Sequence, residues 1–148
     1  MKKAFEFLTH LKENNNREWF AKHKSEYDQI VKENKVFFNQ IYTELQEFDN
    51  LKGIHIFRIY KDVRFSKDQT PYKTNFGASL GMGKGNQKGG YYLHMEPGKS
   101  FLAGGIYMPE SSVLKEVRKE ISLYGDDFLK IINHKDFKKH FPELDQDD

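Results

Sequence analysis

Cysteine is missing from this chain of 148 residues. Disulfides, thiolate zinc sites and cysteine nucleophiles are therefore excluded, and a reducing compartment is compatible with the composition. No apolar run approaches the roughly 18 residues of a membrane-spanning helix. The N-terminus, MKKAFEFLTHLKENNN, starts with lysines as a secretory signal does. Glu6 interrupts its apolar stretch, however, and no small-residue cleavage site follows. The expectation is a cytoplasmic protein with no membrane partner. Aliphatic residues are not rich, but 13 Phe and 8 Tyr are present, so an aromatic core beneath a polar surface is expected. The length predicts one domain, 1–148.

The net charge of +2 gives no reason by itself to expect nucleic acid. Its distribution is more informative. Residues 51–100 hold nine Lys or Arg against Asp62, Asp68 and Glu96, so a basic middle third is flanked by mildly acidic ends. The density peaks in RIYKDVRFSKDQTPYKT, residues 58–74, with Arg58, Lys61, Arg64, Lys67 and Lys73.

Apolar spacing at Phe5, Leu8 and Leu11 predicts a short helix. In NNNREWF, Asn15 is placed to cap the next helix, with Glu18 three residues on as in a capping box. From Trp19, Phe20 and Tyr27 to Phe48 the spacing stays helical, as one helix or as two joined near Lys24 or Asn34. Alternation then predicts strands over 56–65, 74–82, 90–97 and 100–108, joined by glycine-bearing turns as an antiparallel meander. After Pro109 the periodicity returns to helical, ending in the acidic tail ELDQDD. The fold class predicted is α+β: an antiparallel sheet of about four strands flanked by N-terminal and C-terminal helices.

A strand over 56–65 would put Arg58, Tyr60, Asp62 and Arg64 on one face, with Asp62 and Arg64 roughly 7 Å apart along it. A carboxylate beside guanidinium groups keeps its charge, so Asp62 is a poor general acid, and the arginines repel a divalent metal. Such a face suits a phosphate or carboxylate held by Arg and oriented by Tyr hydroxyls. The same residues also suit an internal salt-bridge network under a covering element. If the turn SKDQTP returns the chain to the strand, Tyr72 and Lys73 join Arg58, Asp62 and Arg64 in an anion site. Lys61 and Asp68 are lesser candidates.

The glycine loop GMGKGNQKGG matches neither a P-loop nor a dinucleotide-binding turn, and reads as a hairpin tip carrying Lys84 and Lys88. No cofactor is implied. Tyr92, His94 and Glu96 share a strand face. Their spacing is too common to specify a metal, and a histidine bonded to a neighbour is the expectation there. His94 is also the best-placed general base if there is catalysis. Trp19, Phe20 and Tyr27 read as a core face rather than a stacking platform. No motif dictates a reaction, so whether the chain is an enzyme stays open.

NNNREWF, FRIYKDVRFSKDQTPYKT and GGYYLHMEPGKSFLAGGIYMPE together resemble the bacterial and fungal family known as domain of unknown function 2461. The family pattern, Arg-x-x-Arg-Asp-x-Arg-Phe followed by Asp-Lys and a Tyr, falls on Arg58, Lys61, Asp62, Arg64, Phe65, Asp68, Gln69 and Tyr72. Lys61 and Gln69 depart from it, where Arg and Lys are usual. The resemblance makes Arg17 a further candidate. It also implies a chain shorter at its C-terminus than its relatives, and hence less stable. The sequence predicts a domain of unknown function that binds a small anionic ligand. The alternatives are a nucleic-acid or polyanion module, or a scaffold whose arginines are structural.

Overall fold

In the computed structural model, residues 1–64, 67–81 and 89–141 are described. The expectations for Phe65, for Lys84 and Lys88 in the glycine loop, and for the acidic tail fall outside them. The chain forms two compact units, Met1–Tyr107 and Met108–Asp148. The described fold is α+β, with a four-stranded antiparallel sheet and helices at both ends of the chain.

The first unit begins with α1 (Lys2–Glu13), α2 (Arg17–Lys22) and α3 (Lys24–Leu45). Asn16, not Asn15, caps α2: its backbone is extended and its side chain accepts from the Trp19 amide. Asn15 is occupied elsewhere. Its side-chain amide donates to the Tyr72 carbonyl at 2.9 Å, and its Oδ1 accepts from the Tyr72 amide at 3.2 Å, so it pairs with that backbone as a neighbouring strand would. The helical break comes at His23, whose Nδ1–H donates to the Trp19 carbonyl and whose ring stacks on Trp19 at 3.9 Å. Asn34 stays inside α3, buried, and its Nδ2 finds no partner among the described residues.

The sheet is a meander, β1 (Ile54–Ile56), β2 (Phe76–Leu80), β3 (Gly90–Met95) and β4 (Phe101–Gly105), in that spatial order. Its register sorts the side chains onto two faces. Ile56, Ala78 and Leu93 align on one face, and Phe76 pairs with Met95 there. That face meets the helices in an aromatic core with Phe7, Leu11, Phe20, Tyr27 and Phe38. His55, Ser79 and Tyr92 align on the other, outer face, where Gly77 lies opposite His94 and His94 opposite Phe101. Trp19 packs half-buried against the core, and Phe20 and Tyr27 are within it.

The expected strand over 56–65 is not formed, and β1 ends at Ile56. The Phe57 amide still donates to the Gly77 carbonyl, and pairing resumes at an isolated bridge between Tyr60 and Tyr72. Between these points one chain advances three residues and the other five, so the ladder loses step. The alternation shifts phase as a result. Phe57 lies exposed and Ile59 is buried, although regular alternation would put both on one face.

In the second unit, α4 (Ser111–Leu123), α5 (Gly125–Asn133) and α6 (Lys135–His140) contain no buried residue. Among the described residues no helix is long and apolar enough to cross a membrane.

Candidate functional site

The phase shift redistributes the sequence-predicted residues. Arg64 and Asp62 do meet, in a two-pronged pair at 2.9 and 2.6 Å, but in an exposed segment rather than on a strand face. The guanidinium holds the Asp62 carboxyl below its ordinary range. Lys61 donates to Asp68 and to Thr70, both at 2.7 Å. With the Thr70 amide and hydroxyl also donating to it, Asp68 is held far below the usual carboxylate value. Two of the stretch's cations are thus matched by its two acids. Arg58 is exposed, and no described carboxylate pairs with it.

Tyr72 and Lys73, expected to line one site, have different surroundings. Successive residues in extended backbone project to opposite sides. Tyr72 is buried, stacked on Phe20 at 4.0 Å and 5.5 Å from the Tyr60 ring. Lys73 instead places its ammonium 5.5 Å from the centre of the Phe57 ring.

The Tyr72 corner gathers groups from three segments. Asn15 holds its backbone, Phe20 of α2 supports its ring, and Tyr60 closes the side across the bridge. Burial raises the Tyr72 hydroxyl above its ordinary pKa and the neighbouring Tyr60 adds to this, while Arg17 pulls it down. Tyr27 lies against Phe20, its hydroxyl likewise raised by burial. Arg17 is exposed at the start of α2 and, among the described residues, makes no ion pair. Arg17 thus contributes positive potential at the Tyr72 hydroxyl. Arg17 enters the sequence reading only through the family resemblance, because helical spacing does not reveal which loop faces a helix start.

His94 lies on the outer face, partly buried and bonded to its neighbours: its Nδ1 is 3.0 Å from the Tyr92 hydroxyl and its Nε2 is 3.1 Å from Glu96. His55 packs edge-on against Phe57. Among the described residues no group of three or more His, Cys, Asp or Glu could hold a metal. A groove of about 360 Å³ is lined, among the described residues, by Asp49, Tyr91 and four glycines.

No curated protein and no solved structure matches this chain. The family model described as conserved hypothetical protein (DUF2461) matches residues 3–148, nearly the whole chain. The chain belongs to this family.

Proposed function

We propose that the domain binds a small phosphate- or carboxylate-bearing ligand at the corner formed by Arg17, Tyr60 and Tyr72, with Arg58 as a second cation nearby in sequence. The observation that carries this reading is the unmatched charge of Arg17, whose field reaches the Tyr72 hydroxyl. Lys61 and Arg64 are answered by Asp68 and Asp62, whereas no described carboxylate answers Arg17. An incoming anion would meet the guanidinium fork of Arg17 and the hydroxyls of Tyr60 and Tyr72, the Tyr72 ring being held by its stack on Phe20. Asp62, Arg64, Lys61 and Asp68 then act as a frame for the segment that presents Tyr60, and Lys73 serves the other face.

The test is thermal unfolding in phosphate or sulfate against chloride at matched ionic strength. A ligand at ten times its Kd stabilises the native state by about 1.4 kcal/mol. The wild-type midpoint is expected to rise accordingly, and the gain to vanish in Arg17→Ala and shrink in Arg58→Ala. Equal responses from all three proteins would mark general salting and end the proposal. Strong binding of a long polyanion, falling steeply with salt, would point to the nucleic-acid reading instead.

A further inference from the structure

A hydrogen-bonded chain on the outer face of the sheet is independent of the Arg17–Tyr72 corner and lies across the sheet from the helical core. Tyr92, His94 and Glu96 alternate along and just beyond β3, so they share that face. The Tyr92 hydroxyl lies 3.0 Å from His94 Nδ1, and Asn75 Nδ2 lies 3.4 Å from the same nitrogen. An amide nitrogen only donates, so Nδ1 is the acceptor and the imidazole proton sits on Nε2. That proton is given to Glu96 Oε2 at 3.1 Å. The Tyr92 hydroxyl is then the donor to Nδ1.

The geometry is held on every side. Phe101 stacks on the imidazole at 4.8 Å and 14°. Gly77 lies opposite His94, and a Cβ there would come within 3.0 Å of the Tyr92 oxygen, so a glycine leaves room for the hydroxyl. The His94 and Glu96 side chains are only 16% and 22% exposed, which shields the pair from bulk water. Carboxylate, imidazole and hydroxyl thus follow one another in the order of an activated-nucleophile triad, with a phenolic oxygen in the place of serine.

We propose that Tyr92 is a nucleophile, activated by His94 and oriented through Glu96, that attacks a phosphoryl centre at the outer face of the sheet. The Tyr92 oxygen forms the P–O bond as its proton passes to His94 Nδ1. The bond from phosphorus to the leaving oxygen breaks, and its electron pair departs on that oxygen, which takes a proton from the imidazolium. A water that gives its proton to His94 Nδ1 then forms a new bond to phosphorus, the bond from phosphorus to the Tyr92 oxygen breaks, and that oxygen takes the proton back from the imidazolium. Burial raises the Tyr92 pKa, so the hydroxyl keeps its proton at neutral pH and needs a base. Lys73, over the Phe57 ring that meets Tyr92 edge-on at 6.0 Å, is the cation available to non-bridging oxygens. Among the described residues, Tyr107 adds to the rise at Tyr92, and His55 on β1 packs edge-on against the Phe57 ring. From β4 the Phe101 ring packs against His94.

The experiment is labelling of the full chain with an alkyl fluorophosphonate, which loses fluoride to a nucleophile, with peptide mass spectrometry to locate the adduct. Tyr107 and Tyr124 are 77% and 59% exposed, so unassisted labelling would reach them first. The expected result is faster labelling at Tyr92, with a pH profile showing one histidine-type deprotonation. His94→Gln should slow it roughly 100-fold and remove that profile. Glu96→Gln should slow it less while leaving the amide NMR spectrum native, which keeps the test valid if His94→Gln does not fold. Labelling that follows exposure, no adduct at Tyr92, or an unchanged Tyr92 rate in a folded His94→Gln or Glu96→Gln variant would each overturn the proposal.

Discussion

Asn15 is the residue on which the candidate anion site most depends, although it offers no charge. Its amide closes two hydrogen bonds with the Tyr72 backbone across 57 residues of sequence. Removing it leaves a part-buried donor and acceptor unsatisfied, at about 1–3 kcal/mol. Asn15→Ala should lower stability by that amount in denaturant titration, and should speed amide exchange at Tyr72 before that of β2. Asp62 and Asp68 make a second residue-scale case. Both have folded pKa values below the ordinary carboxylate, so in acid the unfolded chain binds more protons than the native one. Their contribution is present above the unfolded value of about 3.9 and is lost as pH falls through the lower folded values. A melting temperature followed from neutral pH downward should decline below about pH 4, and the decline should be shallower in Asp68→Asn.

At the scale of elements, helices and the sheet were legible because their signals are periodic. Trp19, Phe20 and Tyr27 fall at helical spacing, and β2, β3 and β4 lie within the stretches where alternation predicts strands. The meander was legible from its short glycine-bearing links. The 57–64 segment was not, because alternation in one strand does not disclose whether its partner keeps step. Three residues face five there, which moves Ile59 into the core and leaves Arg58 and Asp62 off any shared strand face. The cap was misread for a similar reason. Asn15 and Asn16 are equally good caps in sequence, and only the distant Tyr72 backbone separates them. The candidate site was legible in its residue types, with Tyr72 and Arg17 both named, but not in its grouping: Lys73 belongs with Phe57, and Arg64 is occupied by Asp62.

For the whole molecule, every buried hydrophobic residue among those described lies between Ala4 and Met95, inside the first unit. The helices of the second unit carry exposed Ile121, Leu123, Leu129 and Ile131 and bury nothing. Stability should therefore reside in the first unit. A chain ending at Tyr107 is expected to unfold cooperatively, with a midpoint within a few degrees of the full chain. A non-cooperative transition in calorimetry would show that the core needs the second unit.

The central claim, an anion site at Arg17, Tyr60 and Tyr72, is tested most directly by titrating the isotopically labelled chain with inorganic phosphate and following the Arg17 side-chain resonance and the amides around Tyr60 and Tyr72. The account predicts saturable shifts confined to that corner, absent in Arg17→Ala. Shifts spread evenly over the basic residues of the 58–74 segment, or unchanged in Arg17→Ala, would contradict it.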